Sequence, residues 1–567
     1  MANSLFRKKS IDQIKKDYDS THGGEAGNLK KVLGVRDLTF LGIAAVIGAG
    51  IFSTIGNAAF NGGPGVTILF VITAIACGFS ALCYAEFASR VPVAGSAYTY
   101  SYVTFGELIA WIIGWALILE YAIGNIVVAI SWSGYFNNLL ENVFHIHLPE
   151  WMLVDPMTAK KAFTEASTAF AAGPVTDPTH LKNYQFAVDA WNSAPTIGDW
   201  HIFFNLPACI IVILITWLAY TGIKESKQTA NYMVMFKIAV IIFVIVAGAF
   251  FVDTNNWTPF LPNRFEGVLR GVSAVFYAYI GFDAISTTAE EAKNPQRDMP
   301  RAMIYSLLIC TVLYILVALV LTGIENYSKF QNVNDPLAFV FANRAPWIET
   351  VISVSAVVAT TSVLLVFQLG QPRIWMSMSR DGLLPKQFQK IHPKYQTPSF
   401  ATIVTGFLVA VPALFLEDSL VTDLTSIGTL FAFALVAGGV LLLPPRPREA
   451  GRFFLPYING RFIIPVIFAL FLYAFHGRLT DAFANFGNEN HQEVLFILFV
   501  IISLIITVLT VIRNYSFIPI MGVLFCLYLM VEIPANSWFV FFAWMALGLF
   551  IYFLYGFRNS KLADVKA

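Results

Sequence analysis

Apolar residues run along this chain in blocks long enough to cross a ~30 Å hydrocarbon core. They fall near residues 36–60, 65–90, 104–136, 203–223, 231–252, 266–289, 301–323, 347–370, 398–416, 421–443, 461–476, 494–512, 515–531 and 537–556. Fourteen spans predict an all-α integral membrane protein, because a segment without water around it must satisfy its backbone internally. Short polar stretches separate most of the blocks. The exception is residues 143–201, where Pro149, Pro156, Pro174, Pro178 and Pro195 punctuate a long outer insertion with a helix-like piece around Thr158–Ala172. It reads as a cap over an outer vestibule or as a solvated insertion without a transport role. The polar, basic stretch from Gln371 to Pro385 reads as an inner loop, either lying on the headgroups or plainly solvated.

Two of the apolar blocks are interrupted. The first contains Ile47-Gly48-Ala49-Gly50-Ile51, and the sixth contains Tyr277-Ala278-Tyr279-Ile280-Gly281-Phe282-Asp283. Glycines weaken a helix at a depth where freed backbone groups find no water, so such a break is tolerable only beside a cavity or ligand. Small residues are also common at membrane helix contacts, but paired breaks in matching places point to a transporter's midplane binding site. The breaks open blocks of five spans each, and five is odd, so the second block inserts upside down relative to the first. The expected organisation is a tail over 1–35, a first repeat over 36–252, an inverted second repeat over 266–443, four extra helices over 461–556 and a second tail over 557–567.

Composition narrows the class further. The 567 residues are 57% hydrophobic and 13% charged, with a mean hydropathy of +0.67, against roughly 25% charged residues in soluble domains. A net charge of +1 gives nucleic acid no basic surface to bind. Most Lys and Arg residues fall in the loops that share a side with the N-terminus, which places both termini in the cytoplasm. The polar opening of the chain lacks the pattern of a cleavable signal, so the first helix is expected to stay in the membrane. All five cysteines sit in apolar segments, and no histidine lies mid-span. There is no phosphate-cradling G-x-x-x-x-G-K-[ST] loop, HExxH or paired-cysteine motif. An enzyme, an ATP-driven pump and a metal cofactor are therefore poorly supported.

The charged residues inside spans are the candidates for chemistry. Lys237 lies in the fifth span, where an ammonium costs ~2.5–3.5 kcal/mol. It is a candidate for giving up and regaining a proton, the alternative being a side chain that snorkels to the headgroups. Glu120, in the third span, is placed to attract a cationic group of a substrate or to pair with a buried partner. Asp283 follows the second break and is suited to capping its freed amides. Glu86, with Arg90, lies near an inner span end and reads as part of a gate or interfacial ion pair.

Several stretches in combination resemble the amino acid, polyamine and organocation (APC) transporter superfamily, and within it the cationic amino acid transporter family. They are Leu41 to Phe52, Tyr84 to Ser89 with Gly95 to Tyr98, Gly114 to Tyr121, Tyr279 to Asp283, Glu290 to Pro295, and Gly370 to Arg373 with Met378 to Pro385. The segment from Phe517 to Arg558 is similar to the extra C-terminal helices of fourteen-span members.

The resemblance implies a five-plus-five inverted-repeat fold with broken helices 1 and 6, moving free amino acids across a cell membrane by alternating access. It implies that amides around Gly48, Ala49 and Gly50 hold the substrate carboxylate. Carbonyls near Val46, Ile47, Tyr277, Ala278 and Ile280 would hold its ammonium, as broken helix ends would on physical grounds. Tyr277 matches an aromatic residue that closes over the substrate. Lys237 matches a fifth-helix lysine of proton-coupled relatives, making the proton the coupling ion with no other cofactor. Glu120 matches an acid of relatives that handle cationic side chains. An importing proton symporter with a cationic preference is the expectation, with an exchanger or a neutral amino acid permease as alternatives and a membrane sensor behind them.

Overall fold

Most of the apolar blocks form continuous helices, several of which run on through an internal glycine or proline. The computed structural model describes residues 5–9, 33–48, 50–91, 96–173, 178–222, 227–444, 452–484 and 491–562, apart from 332, 334, 343 and 396. Helix α1 (Val35–Val46) ends at the first break. A π-helical turn over Gly50–Thr54 then leads into α2 (Ile55–Gly62), α3 (Val66–Arg90), the short inner helix α4 (Ser96–Thr104) and α5 (Glu107–Leu139). After an outer insertion come α8 (Leu206–Thr221) and α9 (Lys227–Ala249). The second break is entered from α10 (Arg264–Leu269) and α11 (Val272–Tyr277) and left through a 3-10 stretch, Phe282–Glu291. Then follow α12 (Pro295–Ile324), the single turn α13 (Pro336–Phe339), α14 (Pro346–Arg380), α15 (Ser399–Ala413) and α16 (Asp418–Val440). The chain ends in α17 (Gly460–Ala474), α18 (His476–Ala484), α19 (His491–Arg513), α20 (Phe517–Val531) and α21 (Ala535–Ile551).

Seven helical runs among the described residues are long and apolar enough to cross a membrane. The bent pair α17–α18 makes an eighth, and five shorter apolar helices accompany them. Helix α5 is the buried axis: the most apolar window of its run is 94% buried, and it packs against α14, α16 and α8. A side chain on α5 therefore reaches the interior whichever way it points. Helices α12 and α3 pair beside it, and α1 lies against α12 and α9.

The inner stretch from Gln371 departs from the loop expected there. Helix α14 runs unbroken through Pro372 to Arg380, burying Gln371, Ile374, Trp375 and Met378. Gln371 is tied to a neighbouring helix: its side-chain amide nitrogen donates to the Ile118 carbonyl at 3.2 Å, while its Oε1 is buried without a partner.

The insertion over 143–201 carries two helices, α6 (Pro156–Ala172) and α7 (Pro178–Ser193), and a two-stranded hairpin in which Thr196 pairs with His201 and Ile197 with Trp200. Asp155 caps α6 by accepting from the amides of Met157 and Thr158. Phe163 stacks on Trp191 across the helix pair. Lys161 then reaches 3.6 Å from Glu417, just before α16, which leans the insertion over the outer end of that helix.

At one end of the bundle, segments near both ends of the chain dock on one patch. Lys9 pairs with Asp381 at 2.6 Å, and the Arg7 carbonyl accepts from the Glu107 amide. The Glu107 carboxylate is fully buried and accepts from Tyr102, Tyr552 and Ser560 at 3.3, 3.0 and 2.5 Å.

Candidate functional site

The two interrupted helices cross each other at their breaks, and each crossing is made by a glycine against an alanine of the other segment. A Cβ on Gly50 would lie 2.3 Å from the Ala278 Cα. A Cβ on Gly281 would lie 2.9 Å from the backbone of Ala45, and Gly281 adopts φ +116°, a conformation that a side chain opposes. Glycine is required twice over at the second site, for space and for the turn.

Breaking a helix frees its terminal carbonyls, and the first break finds donors for them from three other elements and from Thr54 of its own turn. Lys237, 2% exposed on α9, donates from Nζ to the carbonyls of Ala44 at 3.2 Å and Ile47 at 3.3 Å. Tyr314 on α12 donates to the Val46 carbonyl at 2.9 Å. Tyr135 on α5 donates to Phe52, and Thr54 bridges the Gly50 and Ala274 carbonyls at 2.8 and 3.0 Å. Hydrogen bonds to a charged group contribute roughly 1.5–3 kcal/mol each. Two of them offset the ~2.5–3.5 kcal/mol cost of an ammonium at membrane depth, so the break can hold that charge. Lys237 does not snorkel.

The amides are treated differently. Among the described residues neither Gly48 nor Gly50 gives its N–H to a backbone or side-chain acceptor, while the Gly48 carbonyl already accepts from Ile51 and Phe52. Freed N–H groups at a helix start favour an anion. Ala49, expected between them in the same role, lies outside the described residues. At the second break Ala278 and Ile280 are buried in the crossing, and Tyr277 reaches across to donate to the Gly124 carbonyl at 3.1 Å.

Glu120 sits one turn before Gly124 on α5, 3% exposed, with Thr429 within hydrogen-bond reach and one carboxylate oxygen without a partner. The charge that bears on it is that of Asp283, another acid. Asp283 in turn faces the backbone amides of Gly281 and Ala284 at the end of the second break. Glu86 lies apart from both breaks. It pairs with Arg90 at 2.7 Å and accepts from the Leu455 amide at 2.8 Å, joining α3 to the segment before α17. No group of three or more metal-binding side chains occurs among the described residues.

Sequence reasoning missed the tyrosines. Tyr135 and Tyr314 look like ordinary apolar-face aromatics, and only the three-dimensional crossing shows their hydroxyls on the first break. It also missed Asn125 and Gln368, which are 2.6 Å apart, with Gln368 continuing to Thr216 at 2.8 Å. Two amides within apolar spans were the available signal.

Comparison with known proteins gives the same direction. Residues 33–492 match the family described as amino acid permease, and residues 515–560 match the C-terminus of that permease family. The branched-chain amino acid permease BcaP of Bacillus subtilis is 38% identical over 563 residues, covering 99% of this chain and 100% of that relative. The methylthioribose transporter of the same organism is 36% identical over 99% of each chain. Cationic amino acid transporter 3, mitochondrial, of Arabidopsis thaliana is 31% identical, covering 99% of this chain and 96% of that relative. The chain belongs to the amino acid permease family of the APC superfamily and is a multi-pass membrane transporter akin to the cationic amino acid transporters.

Proposed function

We propose that the protein imports amino acids by proton symport through alternating access, with the two crossed breaks as the substrate site. The observation that carries this reading is Lys237 seated on the Ala44 and Ile47 carbonyls, beside the unused amides of Gly48 and Gly50. A protonated Lys237 holds the first break in shape. Losing the proton removes the charge that strengthens both bonds and loosens the hold on those carbonyls, which ties protonation to the geometry that receives the substrate carboxylate. The five-plus-five repeat, the fourteen-span arrangement, the cell-membrane location and cytoplasmic termini belong to the same reading.

Glu120 is the residue we assign to side-chain choice. Its unpartnered oxygen and acidic neighbour favour a cationic side chain, arginine or lysine. Two of the relatives that align over nearly their whole length bear names of other substrates, a branched-chain amino acid and methylthioribose, while a third is named a cationic amino acid transporter. The first two keep a neutral substrate as the second reading.

The test is uptake into liposomes holding the purified protein, with radiolabelled arginine and alanine, with and without an inward proton gradient and without sodium. Gradient-stimulated accumulation supports symport, and the preferred label ranks the side chains. Uptake that occurs only against preloaded amino acid makes the protein an exchanger.

A further inference from the structure

A polar cavity of about 40 Å³ opens on the outer side of the crossing, bounded by the end of the first break, by α10–α11 and by α16. Thr54, whose hydroxyl bridges the two broken segments, forms its floor, so the cavity adjoins the site described above. Other polar walls include Arg270, Ser273, Asp418, Thr422 and Asp423.

The acids differ in what they already hold. Asp423 is occupied, accepting from Ser537 at 3.0 Å and from Ser273. Asp418 is not: its Oδ1 is buried without a hydrogen-bond partner, and the charges that bear on it from Asp155, Glu417 and Asp423 are all acidic. Helix α16 does gain from an acid in its first turn, but Asp418 makes no capping bond there. One turn further, Thr422 is 4% exposed and its hydroxyl is also without a partner. Across the cavity, the exposed Arg270 guanidinium makes no ion pair among the described residues, although two carboxylates line the same space. Opposite charges that face one cavity without touching leave room for a ligand carrying both.

The geometry points to an outer docking site for the zwitterionic head of an α-amino acid, with Asp418 and Thr422 receiving the ammonium and Arg270 the carboxylate. The volume holds roughly three waters at ~10–15 Å³ each, about the room taken by an ammonium and a carboxylate on one carbon. The side chain projects toward the mouth, beneath the insertion that Lys161 ties to Glu417. The proposal rests on the transporter reading for its ligand class, and it adds a place where substrate waits outside the breaks.

Binding here can be read without turnover. Ser419 lines the cavity and is exposed. In a Cys209→Ser background, where the four remaining cysteines are buried, a Ser419→Cys thiol reports the site through its rate of reaction with a neutral maleimide in detergent. Alanine at twice its Kd should slow the reaction about threefold. Methylammonium or acetate alone, each half of the head, should protect less at equal concentration. Asp418→Asn and Arg270→Gln should each abolish protection by alanine and raise the KM for uptake with little change in Vmax. Absent protection, or protection that survives both variants, overturns the docking site. If alanine protects in this way but is never carried into liposomes, the site stands and the transport reading falls. If uptake is normal in both variants and the thiol is never protected, transport stands and the docking site falls.

Discussion

Gly50 and Ala278 lie so close that a single methyl on Gly50 would come 2.3 Å from the Ala278 Cα. Backbone cannot yield there as a flexible side chain would, and overpacking of this kind costs about 1–3 kcal/mol. Gly50→Ala should push the broken helices apart and abolish amino acid uptake. Gly78→Ala is the control: the nearest atom to its Cβ is 4.0 Å away, and a helix gains up to ~1 kcal/mol from this exchange. Uptake and thermal melting of the two variants side by side would show whether the loss follows the crossing.

Lys237→Met keeps an unbranched side chain, one atom shorter, and removes the charge from the Ala44 and Ile47 carbonyls. Uptake driven by a proton gradient should disappear, while melting temperature should fall only modestly because Tyr314 and Thr54 still hold the break. Gradient-stimulated uptake with the wild-type pH profile would contradict a coupling role.

Glu120→Gln removes a charge without changing shape. Binding of arginine and lysine should weaken at least tenfold, equivalent to about 1.4 kcal/mol, with alanine little affected. Competition against a labelled substrate reads this directly, and equal losses for all three would end the selectivity role.

Asp335, in the outer loop before α13, has its carboxyl pushed up to about 7 by desolvation and then by the nearby Glu349. Its ordinary value is ~3.9, so between those limits the folded protein holds a proton that the unfolded chain has lost. The contribution to stability is full below the unfolded value and vanishes as pH rises through about 7. Wild-type protein in detergent should therefore melt lower at about pH 8 than at about pH 6, and Asp335→Asn should narrow that difference. Asn138, which donates to Asp335 at 2.9 Å, keeps an oxygen acceptor in the variant.

Both breaks were legible because glycines interrupt two apolar runs at matching places, and Lys237 was legible because an ammonium at depth needs an explanation. The carbonyls it meets were not, since Ala44 and Ile47 lie 193 and 190 residues away in sequence. Asp418 sits at the edge of a span, where an acid is unremarkable by sequence alone. Its significance comes from Arg270, brought opposite only by the fold. The end of α14 misread for the reverse reason: Gln371, Pro372 and Arg373 look like a loop until the Ile118 carbonyl is there to receive the Gln371 amide.

The patch around Glu107 sets a clock on how the protein is made. Glu107 enters with an early helix, but Tyr552 and Ser560, which complete its shell, follow 445 and 453 residues later. At ~5–20 residues per second of synthesis, that is a wait of roughly 20–90 s. Throughout that interval an acid destined for burial waits with its shell incomplete, and the patch closes only when the last helix arrives.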